Sequence, residues 1–166
     1  MGVIEIPFTA SNLGRVEITA GVMTGNRKSF ADVEFKLDSG SDFTTLSCND
    51  LNNLGYSLNF LQNCQYYSTD ASTASGALRL QFITNVSIKL SERELQGCRV
   101  FFALGTNLRS LLGSDILKYF NWEVNYDLGL LRMNQVAAKP ALSPGESPLQ
   151  VYAFEESLPS MPFTSN

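Results

Sequence analysis

From its first residues to about Met133 the chain is written with a period of two: β-branched and aromatic residues recur at alternate positions, and Gly, Asn and Asp separate the runs. The pattern predicts strands over Val3–Phe8, Arg15–Val22, Phe30–Leu37 and Phe43–Ser47, a long pair around Phe60–Tyr67 and Ala77–Leu90, then Cys98–Leu104, Trp122–Asn125 and Leu130–Met133. Such alternation suits sheets that lay one face on a core, so the expected fold class is all-β. Between Tyr67 and Leu78 lies "STDASTASGA", small and polar, with Gly76 able to take positive φ. It reads either as the tip of a protruding hairpin or as an ordinary surface loop.

One segment breaks the period of two. In "GSDILKYF", Gly113 to Phe120, Ser114 suits a helix cap, Asp115 suits the positive end of the helix dipole, and Ile116, Leu117 and Phe120 form an apolar stripe. So short a helix depends on tertiary packing. After Met133 the composition changes, because five of the six prolines fall there, too many for a core strand. Residues 1–135 are therefore expected to form the domain. Residues 136–166 are expected to be a proline-rich, extended or disordered C-terminal tail in which "LQVYAF" could touch the domain.

Composition narrows the function more than the fold. The 166 residues, 44% of them hydrophobic, suffice for one domain with a sizeable core. Lys and Arg number 12 against 16 Asp and Glu, a net charge of -4 without a basic run, which argues against a nucleic-acid partner. No apolar run is long enough to cross a bilayer, and "MGVIEIPFTAS" lacks the basic start and apolar core of a signal peptide. The opening Met-Gly is not a myristoylation start, since Ile6 stands where Ser or Thr is needed. The expectation is a cytoplasmic protein with no membrane partner. Cys48, Cys64 and Cys98 are an odd count without C-x-x-C spacing, which suits reduced, packed thiols. The absence of histidine removes Ser-His and Cys-His pairs and imidazole metal ligands. Hydrolytic chemistry is left to carboxylates, lysine or a borrowed metal. Lys118, Glu123, Asp127 and Arg132 read as surface charges, and Trp122 and the phenylalanines as core.

Against that background the single Asp-Ser-Gly, Asp38 to Gly40, gains weight. An Asp followed by Ser or Thr and then Gly arises by chance in roughly one chain in fifteen of this length, and a β-turn favours the same residues. The context is more specific. An apolar strand (Phe30, Val33, Phe35, Leu37) leads into "FKLDSGSDFTTLS", and a second piece, "LLGSDILKYFNWEVNYDLGLLRM", carries two apolar residues and a Gly into a short helix and a closing strand–turn–strand.

Together these segments resemble the retropepsin-like aspartic proteases, the single-lobe relatives of pepsin that include the retroviral proteases. The resemblance spans Phe30 to Met133 and keeps the family's order of catalytic loop, flap hairpin, apolar-apolar-Gly, helix and closing strand. It implies a closed β-barrel of the acid protease fold with one short C-terminal helix and an active site formed across a homodimer. Asp38 would be the catalytic carboxylate, one from each subunit, the pair sharing a proton because two carboxyls at hydrogen-bond distance cannot both ionise. Ser39 would hydrogen-bond the partner's loop, and Gly40 would allow close approach to the opposite carboxylate. Asp42 would bind substrate backbone. The flap would be the hairpin from Tyr66 to Leu80, with Ala71, Ser72, Thr73, Ala74, Ser75 and Gly76 over the substrate, and Tyr66 or Tyr67 could line the cleft. Leu111, Leu112 and Gly113 would thread behind the catalytic loop and hold it. Two departures from the retroviral pattern stand out: the flap tip is not glycine-rich, and Ser114 and Asp115 follow Gly113 where retroviral members place an Arg, which is closer to cellular members.

The expected function is therefore an aspartic endopeptidase acting as a homodimer on peptide or protein substrates, without metal or other cofactor, and on the acid side of neutrality. An apolar cleft would favour hydrophobic residues beside the scissile bond. Two alternatives remain open on the sequence: a catalytically inactive retropepsin-fold module for dimerisation or peptide binding, since fold does not guarantee chemistry, and an unrelated β-barrel with a chance triplet.

Overall fold

A computed structural model describes residues 2–10, 14–25, 27–63, 68–73, 76–104 and 109–136, with backbone alone for 68–73 and 76–79. Cys64, Tyr66, Tyr67, Ala74, Ser75 and the expected tail beyond residue 136, "LQVYAF" included, lie outside the described residues.

In chain order the strands and helices are β1 (Val3–Pro7), β2 (Thr9–Ala10), β3 (Val16–Met23), β4 (Ala31–Leu37), α1 (Cys48–Asn53), α2 (Leu58–Gln62), β5 (Ser68–Thr73), β6 (Gly76–Leu90), β7 (Arg93–Phe102), β8 (Leu111–Leu112), α3 (Ser114–Leu117), β9 (Phe120–Asn125) and β10 (Leu130–Gln135). Seven strands share one sheet along the path β5-β6-β3-β4-β8, with β2 added on β3 and β7 on β6. A second, antiparallel sheet has the order β1-β10-β9. The alternation predicted from the sequence is the reason for both. Along β1 the even positions Ile4 and Ile6 turn inward, and along β3 Val16, Ile18, Ala20 and Val22 do, each nearly or fully buried. They meet Val33 and Phe35 of β4, Ile88 and Leu90 of β6, and Leu131 and Met133 of β10 in one core.

Two expected strands are corrected. Phe43–Ser47 is not a ladder: its one bridged residue, Thr45, pairs with Phe101 on one side and Leu111 on the other. Phe60–Tyr67 begins as the end of α2. Ser57 turns the chain there, its hydroxyl accepting from the Phe60 N–H at 3.1 Å, and Phe60 and Leu61, adjacent in sequence, both reach the core from a helical turn as they could not from a strand. Likewise Ser47 caps α1 by accepting from Asp50 N–H, and Leu51 is wholly buried. The described residues thus hold three short helices where one was expected. That one, α3, is also shorter than Gly113–Phe120: Gly113 occupies the cap position without a side-chain bond, Ser114 lies inside the helix, and Phe120 opens β9 opposite Gln135.

Candidate active site

β4 carries Asp38 out of the sheet. Its inward residues, Val33 and Phe35, fix the strand's orientation, so Lys36 and Asp38 share the opposite side. β8 runs parallel to the end of β4, pairing Lys36 with Leu111 and Leu37 with Leu112. The Asp38 N–H donates to the Leu112 carbonyl at 3.0 Å, and the Ser41 N–H donates to the Asp38 carbonyl at 3.1 Å, closing the turn. The half-buried Asp38 carboxylate accepts from the Gly40 N–H at 3.1 Å through Oδ1, and its Oδ2 lies 3.8 Å from Lys36 Nζ.

Beyond the triplet the loop is locked down by the segment that follows β8. Gly113 is buried and packs so tightly that a Cβ there would stand 2.5 Å from the Phe43 carbonyl oxygen and 2.9 Å from that of Ser41. The Ser114 N–H donates to the Ser41 carbonyl at 2.8 Å. Thr44, fully buried, accepts from the Gly113 N–H at 3.0 Å and donates its own hydroxyl to Asp115 Oδ1 at 2.6 Å, while its N–H donates to Asp115 Oδ2 at 3.0 Å. Thr45 exchanges two backbone bonds with Leu111, and its hydroxyl donates to the Arg109 carbonyl at 2.8 Å. Burial pushes the Asp115 carboxyl above its ordinary range, against the lowering effect of the Thr44 bonds and of the Arg99 charge.

The structure therefore brings Asp38, Ser39 and Gly40 together with Leu111, Leu112 and Gly113, with Ser39, Gly40 and Asp42 exposed. Ala71, Ser72, Thr73 and Gly76 form the end of the hairpin of β5 and β6, in which Thr73 pairs with Gly76, at the other end of the sheet path from β4 and β8. Thr44 and Asp115, the clasp between loop and helix, were missed in the sequence as a pair. In sequence Asp115 suits a helix dipole and Thr44 a strand; 71 positions separate them and no periodicity links them. Lys36 was missed too, although its place two residues before Asp38 on an alternating strand was a usable signal.

Among the described residues the two cysteines are poor nucleophiles. Burial, with the Asp115 charge adding to it, pushes the Cys98 thiol up to about 12, and burial raises Cys48 as well; both are free thiols. Among the described residues no cluster of three His, Cys, Asp or Glu side chains could hold a metal ion.

A search of solved structures matches this architecture to a retropepsin-like aspartic protease from Rickettsia conorii, with a TM-score of 0.52 and 23% identity over 81% of this chain and 90% of that one. The fold is retropepsin-like. The EIAV protease complexed with the inhibitor HBY-793 also matches, with a TM-score of 0.47 and 22% identity over 66% of this chain and 92% of that one. The aspartic proteinase from Irpex lacteus gives 0.53 and 12% identity, covering 86% of this chain but 49% of that one, so the chain spans about half of that proteinase. At these identities the likeness is one of fold. No protein-family model and no curated protein matches the sequence. In the retropepsin-like fold seen here, the aspartyl loop sits at the end of β4 and is buttressed by β8 and α3. No helix among the described residues is long and apolar enough to cross a membrane.

Proposed function

We propose that this protein is an aspartic endopeptidase that acts as a homodimer and hydrolyses peptide bonds with a pair of Asp38 carboxyls. The observation that carries the reading is the locked Asp38-Ser39-Gly40 loop on a retropepsin-like fold: the carboxylate is half-exposed, and the backbone beneath it is fixed by Leu112 and Gly113. The sequence has one such triplet, and in this reading the second carboxyl of the pair is supplied by a second copy. Among the described residues Gly40 has no crowded neighbour; the nearest atom to a Cβ there would be Asp38 Oδ1 at 3.4 Å. Its exposed backbone and the exposed Ser39 hydroxyl are free to meet the partner's loop.

In such a pair one ionised carboxyl draws a proton from water while the protonated one polarises the scissile carbonyl. Attack gives a tetrahedral intermediate, and return of the proton to the amide nitrogen releases the products. The peptide would lie as an extended strand between the loop and the hairpin of β5 and β6, which acts as the flap and excludes water.

Proteolysis of a mixed peptide library across pH, with wild type and Asp38→Asn, tests this reading. Cleavage by the wild type below neutrality, blocked by a statine-type inhibitor and absent in the variant, is the expected result. A folded, dimeric wild type that cleaves nothing would leave instead an inactive dimerisation or peptide-binding module of the same fold.

A further inference from the structure

Among the described residues Lys36 is the one charged side chain that pairs with the candidate catalytic carboxylate, and its register partners leave it little else to neutralise. On β3 its register partner is Glu17, whose carboxylate is engaged by Arg109. On the other side its partner is Leu111, an apolar residue. The ammonium instead points along β4 to Asp38 Oδ2 at 3.8 Å, and both side chains are about 30% exposed (29% and 30%), at the rim of the site rather than beneath it.

The charge balance of this corner changes when two copies meet. In one chain Glu17 offsets Arg109 and Asp38 offsets Lys36. In the working pair the two Asp38 carboxyls hold one proton and carry a single negative charge, while two Lys36 ammoniums face them. Counted over the dyad and the two Lys36 side chains alone, with the exposed Asp42 two residues beyond Gly40 set aside, one Lys36 ammonium has no dyad charge to offset, beside the position of the scissile bond and in a site that bound peptide shields from water, where a charge has a larger effect than in bulk solvent. The complement to that surplus is a carboxylate on the substrate.

Resting on the peptidase reading above, we propose that Lys36 is a specificity-determining residue that selects substrates with an acidic side chain, Glu or Asp, immediately beside the scissile bond. This departs from the hydrophobic preference that the sequence resemblance implies.

The test compares kcat/KM for peptides cleaved by the wild type, remade with Glu, Gln, Leu or Lys at each residue flanking the cleaved bond. Wild type should favour Glu over Gln by about fivefold at one flanking position, the scale of a partly exposed ion pair. The ratio should fall to about one in Lys36→Met, persist in Lys36→Arg, and turn toward Lys in Lys36→Glu. Because each ratio is taken within one variant, partial loss of overall activity does not disturb it. If Lys36→Met is too damaged to assay, the wild type alone decides: its Glu preference must shrink between about 50 mM and 500 mM salt. Cleavage with no Glu preference, or with a preference that neither Lys36→Met nor salt alters, overturns the assignment and leaves the peptidase intact. Absence of any cleavage by the wild type removes the peptidase reading and this assignment with it.

Discussion

Two glycines of the site illustrate how identical residues are required for different reasons. Gly113 has φ -97°, a value any residue adopts, so only space demands glycine there: a Cβ would press within 2.9 Å of two backbone carbonyl oxygens that cannot swing aside. Overpacking of this kind costs about 1–3 kcal/mol, and the displaced atoms belong to the loop that carries Asp38. Gly113→Ala should therefore lower the unfolding free energy by about 2 kcal/mol in urea titrations. Gly40→Ala meets no such wall among the described residues, where the nearest atom to its Cβ is Asp38 Oδ1 at 3.4 Å. Its protomer stability should stay within about 0.5 kcal/mol of wild type, while on the proposed homodimer reading the added methyl should weaken dimerisation by meeting the partner's loop. Equal losses of protomer stability in the two variants would contradict this division. The triplet itself was legible from neighbouring residues. The crowding around Gly113 was not, because the atoms that cause it belong to Ser41 and Phe43, about seventy positions earlier in the chain.

Between elements, the clasp of Thr44 and Asp115 joins the aspartyl loop to α3. Removal of the carboxylate in Asp115→Ala strands two donors of the buried Thr44, a loss of about 1–3 kcal/mol, whereas Asp115→Asn keeps an acceptor and should cost less. The charge has its own signature. Asp115 holds its proton more tightly folded than unfolded, because burial disfavours the anion, so its contribution to stability is full below the ordinary carboxyl value of 3.8 and is lost as pH rises through the raised folded value. Melting temperatures of wild type and Asp115→Asn, measured from pH 3 to 7, should thus diverge in favour of the wild type on the acid side; a constant gap would show that the ionised form is not penalised. At this scale the alternation was a sound guide for β1, β3, β4, β9 and β10. It misled at α2 and left α1 unassigned, although Ser47 followed three residues later by Asp50, and Ser57 before adjacent Phe60 and Leu61, are cap signals.

For the molecule as a whole, a site completed by a second copy must follow mass action. Specific activity of the wild type should fall on dilution with the same midpoint as the dimer-to-monomer transition seen by sedimentation equilibrium, and an inactive Asp38→Asn chain mixed in excess should suppress it by forming mixed dimers. Activity independent of concentration in a monomeric protein would end the homodimer reading. The sequence alone determined the all-β class, the absence of histidine chemistry and the position of the aspartyl triplet at a strand end, since these follow from local periodicity and residue type. Tertiary structure alone decided that Leu112, Gly113, Thr44 and Asp115 grip the loop, and that Lys36 turns toward Asp38 while Arg109 engages Glu17. Those contacts depend on which distant segments pack together and on which of two nearby charges a long side chain reaches. Neither is written in the spacing of residues along one strand.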